Sequence, residues 1–280
     1  MDYCRRYPIV FVLDTTISML EKQNDKCLLD QLNDTVRRIL VDVITDNGIS
    51  PYAYVAFVTF ADGITLETEF KKPGYFTMQD FQPARGSGQR VCLETLTYEV
   101  YGDTYMANIP RFLDIHTETS SRVGAGVLRA VEKLEAYKNQ LVKDNVRYYI
   151  PLMILITDGA PGGTADEEEE RRAIQAVREH CYSPYDCSNF IVPLICGVGK
   201  NAESLREYSV EFPQGFRLID YKNPGRGFRD FYRLVRGSFT CESALKSMFS
   251  KPAATPRARA KKDIKKLIEQ LEDILPKLED

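Results

Sequence analysis

The sequence predicts an α/β fold: a doubly wound, mostly parallel central sheet with one antiparallel edge strand and helices on both faces. Three apolar runs of strand length carry this prediction, PIVFVL (8–13), YYIPLMILIT (148–157) and FIVPLICGVG (190–199). They are continuous rather than alternating, which is typical of strands buried on both faces of a parallel sheet. Helical segments separate the runs, and strands that alternate with helices form open sheets covered on both sides.

Four further elements complete the first half of the pattern. The spacing of apolar residues predicts helices over 25–46 and 121–142, each with one apolar stripe. YAYVAFVTF (52–60) predicts another buried strand. ITLETEF (64–70) alternates after an ADG turn, and it therefore predicts the antiparallel edge strand.

Residues 71–115 interrupt this regularity with proline, glycine and an RGSGQR stretch. VCLETLTYEVYG (91–102) then predicts an added strand or a hairpin. We interpret 71–115 as an insertion on the surface of a single large domain, residues 1–250.

The second half of that domain returns to alternating elements. The pattern predicts a helix at about 165–181 with acids in its first turn, a short helix at 201–209, a strand at 216–220 and a helix at about 227–249. Acids in a first turn complement the helix dipole. The length and apolar content suffice for a large core.

We predict that the last 30 residues of the sequence lie outside the large domain. Residues 251–260 are a linker rich in proline, alanine and basic residues, and 261–280 form an amphipathic helix with Asp263 as its N-cap. The helix has just over two heptads and is marginal alone, so it should dock on its own domain or in a partner's groove. Its idealised Lys, Glu, Leu and Ile usage is also compatible with an added or partner-derived segment.

Composition excludes several classes of function. A net charge of −3 gives no basic surface for nucleic acid. No segment reaches the ~20 apolar residues of a membrane span, and no signal peptide is evident. The stretches NPGRGFRDFYRLVRG (223–237) and PRARAKK (256–262) could contact phosphate, but a solvated helix face and a plain linker are favoured.

The seven cysteines are scattered and form no CxxC pair. Reduced thiols in a cytoplasmic protein fit this pattern best. His180 and Cys181 beside Cys187 could offer soft ligands, although ordinary buried or loop thiols are favoured.

The first apolar run ends in the stretch VFVLDTTISM (10–19). In extended backbone, side chains two residues apart share one side, so Asp14, Thr16 and Ser18 would converge. One carboxylate and two hydroxyls suit a magnesium-type cation. A helix cap is the alternative that the spacing leaves open. Asp158, after the strand ILIT, could supply a second carboxylate through water.

These motifs resemble the von Willebrand factor A (vWA) domain family over about residues 7–245. VFVLDTTISM resembles the family's DxSxS signature, and ILITDGAP resembles its later strand that ends in the second metal aspartate. SSRVGAGVLRAVEKLE (120–135) is similar to the middle element, in which a hydroxyl ligand precedes a small residue and a helix. The resemblance implies a metal-ion-dependent adhesion site that binds Mg²⁺, with Mn²⁺ or Ca²⁺ as alternatives. It places the ligands at Asp14, Thr16, Ser18, Ser121 and Asp158.

Two positions depart from the family pattern. The usual Gly-Gly-Thr is TSS here, so Thr119 or Ser120 could replace Ser121. Ile17 stands where the family prefers glycine. The style of the motifs also resembles stand-alone bacterial cytoplasmic vWA domains that are associated with tellurite resistance and with kinase–phosphatase gene triads.

The resemblance implies a non-catalytic, metal-dependent protein-binding module in a bacterial stress or defence complex, whose ion binds an Asp or Glu of a partner. Two alternatives stay open: a Mg²⁺-dependent hydrolase or phosphoryl-transfer enzyme, and a metal-free, degenerate vWA scaffold. The sequence has no GxxxxGK[ST] loop and no GxSxG elbow. His116, five residues before Ser121, is a candidate for a general base, but a surface or hydrogen-bonded histidine is favoured.

Overall fold

The computed structural model describes most of the predicted domain. The described ranges are 5–20, 22–23, 26–100, 103–113, 121–159, 167–181, 191–210, 213–220 and 223–240. Several predicted features lie outside these residues: His116, Thr119, Ser120, Cys187, the linker 251–260 and the helix 261–280.

The described chain contains twelve strands and four α-helices. The strands are β1 (Arg5–Asp14), β2 (Lys22–Gln23), β3 (Lys26–Cys27), β4 (Ala53–Phe60), β5 (Ile64–Glu67), β6 (Gln82–Pro83), β7 (Val91–Val100), β8 (Asp103–Phe112), β9 (Arg147–Tyr148), β10 (Leu152–Thr157), β11 (Val192–Val198) and β12 (Phe216–Ile219). The helices are α1 (Leu28–Thr45), α2 (Val123–Lys143), α3 (Glu167–Cys181) and α4 (Pro224–Thr240).

The central sheet has the strand order β12-β11-β10-β1-β4-β5-β6, and β9 pairs with the start of β1. The pairings from β12 to β4 are parallel, whereas β4–β5 and β5–β6 are antiparallel. The predicted fold class, a doubly wound and mostly parallel sheet with an antiparallel edge, is therefore confirmed.

Alternate residues of β1 face two separate cores. Ile9, Phe11 and Leu13 belong to the core that includes α1 and α4. Val10 and Val12 belong to the core formed with α2 and α3. Because both sets are fully buried, the continuous apolar run of the sequence corresponds to a strand covered on both faces.

A long antiparallel pair of strands, the β7–β8 hairpin, occupies the second half of the 71–115 segment. Its base packs into the core beneath α1 through Ala107, Ile109 and Phe112. The side-chain amide of Asn33 on α1 donates to the backbone oxygen of Phe112 (2.8 Å) and accepts from its N–H (2.9 Å). The hairpin is thus anchored to the domain at its base, while Asp103 at its tip is exposed.

Several predicted element boundaries differ from those of the structure. The predicted edge strand 64–70 ends at Glu67, and the two-residue β6 pairs outside it. The predicted strand 148–157 is divided into β9 and β10 by an interruption at 149–151, which contains Pro151, a residue with no N–H to donate. The short helix after β11 is a 3₁₀ helix (Lys200–Ser209). No described helix has the length and apolar character to cross a bilayer.

Phe57 on β4 lies at the centre of the larger core. Its ring stacks on Phe11 with centroids 5.3 Å apart and contacts the rings of Phe76, Phe81 and Phe112 at 5.4–6.0 Å. The hairpin and the segment before it are therefore fixed to the sheet through one buried aromatic cluster.

We expect Phe57→Ala to lower the free energy of unfolding by about 3–5 kcal/mol, because it leaves a cavity among four rings. Urea unfolding measures the loss. Met106→Ala, which truncates a 74% exposed side chain on the hairpin, is the control and should change stability by less than about 0.5 kcal/mol. Equal effects of the two substitutions would contradict the central place of this cluster.

Candidate metal centre

The candidate site lies at the carboxyl edge of the sheet, where β1 and β10 run side by side. The chain leaves β1 toward β4 on one side and reaches β10 on the other, so the strand order reverses between β1 and β10. Open α/β sheets bind ligands in the crevice at such a switch point. Asp14 is the last residue of β1, and Asp158 directly follows β10.

The turn after β1 directs its oxygens to one place. One oxygen of Asp14, Oδ1, accepts hydrogen bonds from the backbone N–H of Thr16 (2.9 Å) and from its hydroxyl (2.6 Å). The hydroxyls of Thr16 and Ser18 are 2.9 Å apart. Ile17 begins a 3₁₀ turn and is 42% exposed. Its side chain therefore does not separate the two hydroxyls.

Two hydrogen bonds connect this turn to distant parts of the chain. The hydroxyl of Ser18 donates to Oδ1 of Asp158 (2.9 Å), and the hydroxyl of Ser121 donates to Oδ2 of Asp14 (3.0 Å). All five residues predicted from the sequence thus lie in one hydrogen-bonded cluster, although they come from three separate segments.

Thr157 belongs to the same cluster and was missed by the sequence reasoning. It is fully buried, and its hydroxyl donates to Oδ2 of Asp14 and accepts from the N–H of Gly159 (3.0 Å). The sequence carried no signal for it, because the position of Thr157 follows from the register of a parallel pair. Leu13 lies opposite Ile156, and the next residues, Asp14 and Thr157, are therefore neighbours.

Gly159 leaves the space that Ser121 occupies. A Cβ on Gly159 would lie 2.6 Å from Cβ of Ser121 and closer still to its hydroxyl, and 3.4 Å from Oδ2 of Asp14. No side chain fits there unless Ser121 moves. The glycine of the TDG motif is thus required by the close approach of the middle segment.

The segment that carries Ser121 is held from both sides. The N–H of Arg122 donates to the backbone oxygen of Ala61 (2.8 Å), and its guanidinium pairs with Glu169 on α3 (2.5 and 3.3 Å). Gly124, the small residue three positions after Ser121, lies against α3: a Cβ there would be 3.1 Å from Cα of Glu170. Ser121 is therefore placed by the packing of α2 against α3.

The electrostatics of the site are dominated by the burial of Asp14. Burial raises the pKa of its carboxyl, and the hydrogen bonds from Thr157, Thr16 and Ser121 offset this only partly. Within the described residues no basic side chain forms an ion pair with Asp14. A buried carboxylate without a cation is costly. Two carboxylates and several hydroxyls are also the hard oxygen donors that Mg²⁺ takes, so the residues fit a bound cation.

The structure excludes one alternative from the sequence, a cap on α1, and tests another, a site of soft ligands, only in part. The polar turn does not cap α1, which begins at Leu28 with Cys27 as its N-cap and no side-chain capping bond. Nδ1 of His180 lies 2.9 Å from Oε1 of Glu135. In the described part of the chain, no group of three or more His, Cys, Asp or Glu side chains could hold a metal, and Cys187 lies outside that part.

Comparison with known proteins gives similarity of structure rather than of sequence. No family model and no curated protein matches the sequence. The PilB minor pilin from Streptococcus sanguinis has a TM-score of 0.50 at 10% identity, over 90% of this chain and 64% of that protein. The pilus adhesin SpaC from Lactobacillus rhamnosus GG has a TM-score of 0.49 at 13% identity, over 83% and 30%. A von Willebrand factor type A from Catenulispora acidiphila has a TM-score of 0.45 at 15% identity, over 82% and 42%.

The likeness to PilB concerns the fold alone, because only one residue in ten is identical. This chain also spans less than two thirds of the length of either PilB or the Catenulispora protein. The doubly wound architecture described above is therefore shared with a solved structure.

We expect Gly159→Ala to weaken Mg²⁺ binding by about 10- to 100-fold, the usual effect of displacing a group that orients metal ligands. The added methyl group must push Ser121 away from Asp14. Isothermal titration with MgCl₂ measures the change. Gly225→Ala on α4 is the matched control, since its Cβ would meet only Oε1 of Gln31 at 3.6 Å. Unchanged Mg²⁺ affinity in Gly159→Ala would contradict a role for Ser121.

We also expect Asp14→Asn to stabilise the metal-free protein at pH 8 relative to pH 4.5. The folded-state pKa of Asp14 is raised, so the folded state favours the protonated carboxyl. Its contribution to stability is therefore lost as the pH rises through the unfolded and then the folded pKa. Asn mimics the protonated form and removes this loss.

Urea unfolding in EDTA, with both proteins at both pH values, measures the double difference in free energy of unfolding. The comparison cancels the other titrating groups that the two proteins share. A destabilisation by Asp14→Asn that is the same at the two pH values would contradict the expectation.

Proposed function

We propose that this chain is a protein-binding module of the von Willebrand factor A type, with a metal-ion-dependent adhesion site. Asp14, Thr16, Ser18, Ser121 and Asp158 would hold Mg²⁺, directly or through water. One observation carries the proposal: three motifs in the family's order converge in one hydrogen-bonded cluster at the switch point of the sheet. Thr157 would fix the orientation of Asp14 rather than bind the ion.

The donor set explains why an acidic partner is expected. Only two of the proposed ligands are carboxylates, and the other three are neutral hydroxyls. A divalent cation in this setting retains affinity for another hard anionic oxygen. An Asp or Glu side chain of a partner protein would supply it. Asp158, with 9% of its surface exposed, and the half-buried Ser18 and Ser121 mark the side on which the site opens.

We propose a binding role rather than a catalytic one. Catalysis by hydrolysis or phosphoryl transfer needs a base within reach of a nucleophile. Among the described residues, the hydroxyls of the cluster donate to Asp14 and Asp158. Because these two carboxylates are the proposed metal ligands, we do not assign either of them as a general base. The enzymatic alternative and the metal-free scaffold remain the competing functions, and peptide capture, turnover assays and metal titration together separate all three.

Metal-dependent capture of acidic ligands tests the proposal. An immobilised peptide library with Asp or Glu at a central position is incubated with the full chain in MgCl₂ or in EDTA. We expect retention of selected acidic peptides in Mg²⁺ only, loss of retention with Asp14→Ala, and no loss with Asp103→Ala. Asp103 is the matched control because it is an exposed aspartate at the hairpin tip.

Three outcomes would contradict the proposal. Retention that survives EDTA and Asp14→Ala would indicate a metal-free scaffold. Turnover of a phosphate monoester, phosphodiester or nucleic acid substrate that requires Mg²⁺ and Asp14 would indicate an enzyme. Failure of MgCl₂, MnCl₂ and CaCl₂ to bind the wild-type chain in calorimetry would remove the metal site.

The wider setting of the module stays a prediction. A cytoplasmic location, an association with bacterial tellurite resistance or stress response, and docking of the helix 261–280 on a partner or on its own domain all rest on the sequence. The docking can be tested on the same peptide columns with a chain that ends at residue 250.

A further inference from the structure

A cavity of about 420 Å³ lies between the first turns of α1 and the N-terminus of α4, away from the candidate metal centre. None of the residues that line it belongs to the candidate metal centre. Its walls carry four basic side chains, those of Lys26, Arg38, Arg226 and Arg229, and one acidic side chain, that of Asp34. The lining is therefore strongly positive on a chain whose net charge is −3.

The first turn of α4 presents free backbone donors to this cavity. The helix begins at Pro224, which has no N–H, and the N–H groups of Gly225 and Arg226 lie before the first intrahelical hydrogen bond. The first turn contains no acidic residue. Arg226 there opposes the positive end of the helix dipole, a placement that an anion would stabilise.

Gln31 supplies an independent indication of a ligand. The residue is 9% exposed, and its Oε1 is buried with no hydrogen-bond partner among the described residues. Oε1 lies 3.6 Å from the position that a Cβ on Gly225 would take, so it points to the start of α4. A buried acceptor without a donor costs free energy. A ligand that brings an O–H or N–H group into the cavity would satisfy it.

Two of the arginines are available for an anion. Within the described chain, no ion pair involves Arg38 or Arg229, and both are exposed at the rim. Lys26 is instead paired with Asp34 (2.7 Å), and Arg226 approaches Asp230 only at 4.0 Å. The cavity thus combines cationic donors, free backbone N–H groups and one buried acceptor.

We propose that this cavity binds the phosphate group of a small soluble ligand, in a form that keeps an O–H donor. Arg38, Arg229 and the N–H groups of Gly225 and Arg226 take the phosphate oxygens, and Oε1 of Gln31 accepts the O–H. Inorganic phosphate keeps at least one O–H at pH 7, and a phosphate monoester, whose second pKa is about 6, keeps one in its monoanionic form, which the acceptor would select. Sulfate has the same shape but no proton at pH 7, and the buried acceptor therefore discriminates against it.

Calorimetric titration of the full chain with inorganic phosphate and with sulfate at pH 7 tests the proposal. EDTA is present throughout, so that phosphate on a bound Mg²⁺ does not contribute. We expect saturable phosphate binding and sulfate binding that is weaker by about tenfold or more, because one buried hydrogen bond is lost. Gln31→Met should bring the phosphate affinity down to that of sulfate.

The arginines are tested by Arg38→Gln/Arg229→Gln, which should weaken phosphate binding by about tenfold or more. Arg37→Gln/Arg233→Gln is the matched control. It removes the same charge from the same two helices, at residues that pair with Glu94 (3.7 Å) and Asp230 (3.4 Å). We expect it to change phosphate affinity less than twofold.

The source of the phosphate group is tested with glycerol phosphate and with vesicles that contain phosphatidic acid. Binding of glycerol phosphate that is lost in Arg38→Gln/Arg229→Gln supports a soluble ligand. The proposal is overturned if the wild-type chain shows no saturable phosphate binding, or if the two double variants lose equal phosphate affinity. It is also overturned if the chain binds vesicles that contain phosphatidic acid but not glycerol phosphate.

Discussion

The register between β1 and its two parallel neighbours is the constraint on which the rest of the structure depends. It sets Leu13 opposite Ile156 and Asp14 opposite Phe60. The two strand ends therefore finish level, and Asp14, Thr157 and Asp158 meet at one edge. A slip of one residue would exchange the side chains that face the two cores and would move Asp14 out of line with Thr157. The pairing that packs both cores thus also fixes the position of the polar cluster.

That cluster resolves a conflict between burial and charge. Asp14 is fully buried because it ends a strand in the middle of the sheet, and its carboxylate must be solvated by the protein itself. Hydroxyls from three segments and one backbone N–H provide this solvation. Neutral hydroxyls do not cancel the charge, whereas a cation would.

The cavity at α4 has an excess of positive charge, since its cationic side chains have few acidic partners.

Much of the fold and the acidic half of the site could be predicted from the sequence. The continuous run before Asp14 and the strand before Asp158 identified two buried strands and their carboxyl ends. The role of Thr157 could not be predicted, because it depends on which strands pair and in what register. The anchoring of the 71–115 segment through Asn33 and Phe112 was also out of reach, since single-sequence patterns do not show contacts between residues 79 positions apart. The position of Gln31 in the cavity could not be predicted either, because in the sequence it is an ordinary polar residue of an amphipathic helix, and its place depends on how α4 packs against α1.

The parallel pairing of β1 with β10 has a consequence for biosynthesis. β1 leaves the ribosome before its partner β10, which ends at Thr157, and the hydrogen bond from Ser18 to Asp158 spans 140 residues. Contacts of such sequence separation form late and slowly. One edge of β1, whose Ile9–Leu13 segment is fully buried in the folded protein, therefore has no partner strand until the chain as far as β10 has been translated, and during that time apolar side chains and backbone hydrogen-bonding groups are exposed together.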